Sequence, residues 1–141
     1  AATMTTGAYI AANDGTNQVF AVKLGGHLAS AGTAPTAAAG AGAGTTPTGP
    51  AVTAGSTDTK GNVTVTIGTP TGTGTIMTVT FAKAYASAPL VILTPATAAT
   101  AAEMVTSKIS TTSTTTTFTI VSTTTGLTQA TAFSWNYVCL E

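Results

Sequence analysis

The sequence predicts an all-β protein: a β-sandwich or jelly-roll-like domain preceded by an N-terminal hairpin and an extended Gly/Ala/Thr-rich arm. Three observations lead there. From Val52 onward, short alternating or wholly apolar segments recur at close intervals, separated by Gly, Pro and Thr turns, the pattern of a many-stranded antiparallel fold. Threonine makes up about a quarter of the residues. Its branched Cβ favours extended backbone, and its hydroxyl satisfies a solvated sheet face. Finally, Phe133, Trp135, Tyr137 and Cys139 alternate with Ser134, Asn136 and Val138, the period of a strand with one buried face.

The chain divides by composition into residues 1–30, 31–55 and 56–141. In the first part, Ala8 to Ala12 and Gln18 to Val22 flank Asn13-Asp14-Gly15, whose Asp-Gly pair tolerates the positive φ of a tight turn. A two-stranded hairpin with so little bulk is marginal in water. It is therefore expected to dock on another surface, through Tyr9, Ile10, Val19, Phe20 and Val22. The second part runs through Ala37 to Gly44 and Thr45-Thr46-Pro47-Thr48-Gly49-Pro50. A glycine at every second position costs about 1 kcal/mol each in a helix. The expectation is an extended arm lying over a neighbouring subunit or the domain surface, with a disordered linker as the alternative.

The third part carries the sandwich. Asn62 to Ile67 alternates after a Lys60-Gly61 turn, and Thr75 to Ala82 places Met77, Val79 and Phe81 on one face. Pro89 to Pro95 is a continuous apolar run, expected to be covered on both sides. Met104 to Ile109 and Thr115 to Val121 follow as strands, the latter with Phe118 and Ile120 against the parity of the threonines, and Thr131 to Leu140 closes the fold. No stretch holds a helical period; Ala96 to Met104 has the composition for a single alanine-rich turn. With few large side chains available, Phe81, Tyr85, Phe118, Phe133, Trp135 and Tyr137 are expected to build the core or an assembly contact.

Composition also excludes functions. Only 6% of residues are charged, there is no arginine, and Lys23, Lys60, Lys83 and Lys108 are scattered and balanced by four acids. No basic patch for nucleic acid or an anionic membrane can be drawn from them. The longest uncharged run is broken by Gly and Pro, so it is no membrane-spanning helix. The first residues have neither the basic nor the apolar region of a secretory signal.

Catalytic and cofactor chemistry is not expected. His27 is the only histidine, no serine sits in a nucleophile elbow, and no two acids are placed together for glycoside cleavage. One His, one Cys and four scattered carboxylates do not assemble a metal site by spacing. Gly-Ala repeats never form a phosphate-cradling loop. Asn62-Val63-Thr64 matches a glycosylation acceptor, a match that so much threonine produces by chance, and Ser110 to Thr117 lacks the prolines of a mucin-like stalk. Cys139 falls on the predicted core face and reads as an inert thiol. Tyr9, Phe20 and Tyr85 are the aromatics left over as sugar platforms.

One resemblance adds to this reading. The ordered set Ala39 to Thr48, Gly61 to Thr66, Thr80-Phe81 with Ala84-Tyr85, Pro89 to Pro95 and Phe133 to Val138 resembles a small β-sandwich domain of tailed-bacteriophage virion surface proteins, found in capsid decoration proteins, head fibres and the outer domains of tail fibres. It covers about Ala31 to Glu141; the hairpin lies outside it. The resemblance implies a non-enzymatic structural protein without cofactor, commonly a homotrimer, on the outer capsid surface of the virion. A tail fibre carries a long shaft ahead of such a domain, whereas about thirty residues precede it here. The expectation is therefore a capsid decoration (cement) protein that binds the major capsid protein and projects its sandwich outward. The alternative is a fibre-tip receptor-binding module recognising a host surface glycan or protein. A secreted bacterial adhesin-like domain is a third reading.

Overall fold

The computed structural model describes residues 8–14, 17–69 and 72–141. The chain forms two units, residues 1–33 and 34–141.

In the first unit, β1 (Ala8–Asp14) and β2 (Asn17–Lys23) pair antiparallel, and β3 (Leu28–Ser30) adds to the other edge of β2. The hairpin's tip, Gly15 and Thr16, lies outside the described residues. The third strand was not anticipated. It is made possible by Gly25 and Gly26, whose φ values of 90° and 79° reverse the chain where other residues would be strained. The reversal is closed by Gly26 N donating to Lys23 O at 3.0 Å and Lys23 N donating to His27 O at 2.8 Å.

The second unit is an all-β sandwich. Its strands are β4 (Thr36–Ala39), β5 (Thr48–Val52), β6 (Lys60–Thr66), β7 (Gly74–Thr80), β8 (Leu90–Pro95), β9 (Ile109–Ser113), β10 (Thr117–Ser122) and β11 (Ala132–Leu140), with helix α1 (Ala98–Thr106) between β8 and β9. They form two four-stranded antiparallel sheets, ordered β4-β7-β10-β9 and β5-β6-β11-β8. Among consecutive strands only β5–β6 and β9–β10 are hydrogen-bonded neighbours. Every other connection crosses between the sheets, so local sequence does not reveal the strand order.

Binary alternation builds the core. Along β11, Phe133, Trp135, Tyr137 and Cys139 point inward and are buried, with Val63 and Val65 of β6 beside them. Met77 and Val79 of β7 and Phe118 and Ile120 of β10 face them from the other sheet. Phe118 meets Tyr137 with ring centroids 5.2 Å apart, Phe81 packs on Phe118 at 5.8 Å, and Tyr85 closes edge-on against Phe81 at 4.8 Å. Such pairs add about 0.5–1.5 kcal/mol each beyond area burial. All six aromatics expected in the core are there, with Tyr85 half-buried at its margin.

Three expectations differ from the structure. The segment 31–55 is not an arm over the surface: β4 pairs with β7, β5 pairs with β6, and a 3-10 turn at Ala41–Ala43 joins them. The glycines serve close approach. A Cβ on Gly40 would strike the Thr75 carbonyl, and one on Gly42 would sit 2.8 Å from the Gly74 oxygen. Second, β8 turns alternate residues to the uncovered outer face of its sheet, so Leu90 and Ile92 are exposed while Val91 and Leu93 pack on the core. It is covered on one side only. Third, residues 98–106 are helical, which moves the strand expected from Met104 to Ile109–Ser113. The helix is capped by Thr97, whose Oγ1 accepts from Thr100 N at 3.2 Å, and alanine supplies the propensity. Its position follows from Pro95, which ends the β8–β11 ladder opposite Trp135. Beyond that point Ser134 N donates to Thr100 Oγ1 at 2.9 Å, and Ala96 N donates to Ser134 O at 2.9 Å.

Candidate interaction surfaces

The charged and nucleophilic side chains are distributed as braces, not gathered as a site. Asp58 accepts from Ala82 N at 2.8 Å and Lys83 N at 2.9 Å, tying two loops together. Glu103 accepts from Ser107 Oγ at 2.6 Å and from Thr128 Oγ1 at 2.7 Å, which pins the chain ahead of β11 to α1. The Ser107 bond, then the Thr128 bonds, hold its carboxyl below the ordinary glutamate range against an opposing desolvation effect. Glu141 accepts from Ser87 N at 2.5 Å. His27 is exposed in the turn between β2 and β3. Among the described residues no three His, Cys, Asp or Glu side chains are grouped to hold a metal ion, and no helix is long and apolar enough to cross a membrane.

Burial acts on Cys139, Tyr85 and Tyr137. It pushes the Cys139 thiol up to about 12, with the Asp58 charge adding to the effect. The thiol is therefore protonated at neutral pH, and a thiol is far less nucleophilic than a thiolate. Burial likewise raises Tyr85 to about 12 and lifts Tyr137 further; Tyr137 Oη donates to Thr57 O at 2.6 Å. A shallow open depression of about 340 Å³ lies beside this contact, lined by Thr53, Ser56, Lys60, Asn62 and Tyr137. Its hydroxyl and amide groups are already paired: Thr53 Oγ1 donates to Asn62 Oδ1 at 2.9 Å, and Asn62 Nδ2 donates to Asn136 Oδ1 at 3.0 Å. The same commitment occupies the amide of the Asn62-Val63-Thr64 acceptor pattern.

What the molecule does present is apolar sheet face. In the first unit the register places Ile10, Val22 and Leu28 in one row across the three strands, with Ala12, Phe20 and Ser30 beside them on the same face. Ile10 is 60% exposed, Leu28 67% and Phe20 41%, while Val22 is half-buried. Of the residues expected to dock, the structure thus gathers Ile10, Phe20 and Val22. Val19 lies on the opposite face with Ala21, and the Tyr9 side chain lies outside the described residues. Leu28 was missed because it follows Gly25-Gly26-His27 and reads as loop. Its only sequence signal is the short Leu28-Ala29-Ser30 alternation.

The sandwich has two unlike outer faces. On β4-β7-β10-β9 the outward rows are Thr36, Thr80 and Thr117, then Ala38, Thr78, Thr119 and Thr112, with a hydroxyl–hydroxyl bond of 2.6 Å between Thr112 and Thr119. On β5-β6-β11-β8 one end is an amide and hydroxyl ladder, Asn62, Asn136 and Thr94. The other end is aliphatic: Val138 lies opposite Ile92 and Leu140 opposite Leu90, all four exposed. Comparison of the chain with protein-family models, with characterised proteins and with solved structures finds no match.

Proposed function

We propose that the chain is a non-enzymatic structural protein of a virion, a capsid decoration (cement) protein acting as a homotrimer. Its first unit docks on the major capsid protein, and its sandwich faces outward on the shell. One observation carries the docking role: the first unit holds its apolar row, Ile10, Val22 and Leu28 with Phe20, on the outside. Units below about 40 residues need a disulfide, a metal or association to be ordered. The chain's one cysteine is Cys139, in the other unit. A flat apolar face on so small a unit is best explained by a surface that covers it. The class of that surface comes from the resemblance of residues 31–141 to phage virion proteins.

The mechanism is linkage. A protein that binds the assembled shell and not its separated subunits stabilises the shell by mass action, by about 2.7 kcal/mol per site at a hundredfold excess over Kd. Uncharged apolar side chains make the contact, so salt screens it little. The test is to mix purified protein with undecorated capsids and examine them by sedimentation and electron microscopy. Binding at regular lattice positions, lost in Leu28→Asp or Ile10→Asp, is the expected result. Failure to bind capsids, with binding to host cells instead, would move the function to receptor recognition.

A further inference from the structure

The aliphatic end of the β8–β11 outer face has no part in the docking just described. Leu90 (65% exposed), Ile92 (46%), Val138 (40%) and Leu140 (50%) form two directly opposed cross-strand pairs, making one continuous patch and not scattered exposure. Their inward neighbours Val91, Leu93, Tyr137 and Cys139 pack on the core, so the outward set is fixed by the pleat and cannot turn in. From this geometry we infer that the patch is the seat of a second copy of this chain.

Chemistry selects that occupant. Lys60, opposite Val138, is the one charged residue at the outward positions of β6, β11 and β8. An ordinary protein surface would press charged groups onto this face, about 25% of residues being charged in a typical domain, and each would lose its hydration without gaining a partner. This chain has 6% charged residues and no net charge, so another copy brings little charge to the face, where Lys60 stands on the β6 side, off the two β8–β11 pairs. The edge of β8 is a poor alternative contact: Pro89 and Pro95 bracket it and interrupt the donors a strand-to-strand pairing would need.

Area sets the strength. A nine-residue β11 spans roughly 30 Å, and three strands about 4.8 Å apart span roughly 14 Å, so the whole outer face, its polar end included, offers at most roughly 400 Å² per copy. Contact with a second copy then removes at most about 800 Å² in total, short of the roughly 1,000 Å² of a specific stable interface. Self-association is therefore weak and concentration-dependent, suited to copies already held near one another. The inference names a surface for the proposed homotrimer, and it is measured without capsids, so the two readings fail separately.

The experiment is sedimentation velocity on the full chain from micromolar to millimolar concentration. The wild type is expected to associate reversibly. Ile92→Lys and Val138→Lys should each weaken association at least tenfold, because each buries an unpaired charge in the contact. Both sites are exposed, so the fold is retained, as far-UV circular dichroism and the urea midpoint will verify. Ser110→Lys, exposed on the threonine face, should leave association unchanged. A wild type that stays monomeric throughout, or association that survives both lysines, or falls equally with Ser110→Lys, would overturn the inference.

Discussion

Replacing Trp135 tests the core most directly, and the structure supplies the magnitude. Trp135 is fully buried on β11, opposite Val63 of β6 and Pro95 of β8, and stacks on Phe133 with ring centroids 6.0 Å apart and planes 25° apart. Truncating so large a side chain to Ala costs about 3–5 kcal/mol through lost transfer energy and an uncollapsed cavity. One detail moves the expectation within that range: the Trp135 Nε1–H is buried with no acceptor. A buried unsatisfied donor carries a penalty of about 1–3 kcal/mol in the native state. Trp135→Ala removes the penalty along with the ring, so its net cost belongs near 3 kcal/mol. Trp135→Phe removes the donor and keeps one ring against Phe133, so it should fall within about 1 kcal/mol of wild type. The assay is equilibrium urea unfolding followed by far-UV circular dichroism, since the tryptophan signal is lost in both variants. A Phe variant as unstable as the Ala variant would show that Nε1–H has a partner. An Ala variant losing less than about 1 kcal/mol would put Trp135 at the surface.

Two further predictions concern the structural braces. Glu103 has a lowered carboxyl pKa in the folded chain, chiefly through Ser107, so its contribution is present above the unfolded value near 4.3 and is lost as pH falls through the folded value. Urea midpoints should drop for the wild type below about pH 4, and Glu103→Gln should flatten that part of the profile; parallel profiles would remove the carboxylate from the account. Gly40→Ala should destabilise by about 1–3 kcal/mol, because its Cβ collides with the β7 main chain at Thr75, whereas Gly72→Ala, with open space around it, should be near neutral. Equal urea midpoints for the two variants would contradict the close approach of β4 and β7.

The parts of the fold that were legible are those where bulk alternates along one strand. Phe133 through Cys139 declare their face because each apolar residue is large and its neighbours are Ser, Asn and Val. Phe118 and Ile120 do the same against threonine. The segment 31–55 hid β4 because its inward residues, Ala37 and Ala39, are no bulkier than its outward ones, and it hid β5 because Val52 is the one large side chain that strand turns to the core. Glycine at Gly40 and Gly42 then read as flexibility, when its cause is a contact with β7 more than thirty residues away. The run Leu90–Leu93 looked two-sided for the opposite reason: its outward residues are apolar too, and only the strand order shows that nothing in the sandwich covers them. Leu28 was lost to the glycines before it, although those glycines are what returns the chain to pair with β2.

The low charge of the chain becomes intelligible from the two outer faces. In most domains charged side chains mark which surface stays wet. Here the mark is made by threonine, which keeps β-branched stiffness on the strand and offers a hydroxyl to water or to its neighbour, as Thr112 does to Thr119. The sheet β4-β7-β10-β9 therefore gains little by leaving water. The sheet β5-β6-β11-β8 gains from covering Leu90, Ile92, Val138 and Leu140, and the first unit gains from covering Ile10, Phe20, Val22 and Leu28. A sandwich so divided needs no salt bridge to choose which way it faces in an assembly. Placing a charge on an aliphatic face should therefore perturb association far more than placing one on the threonine face, even where both leave the fold intact.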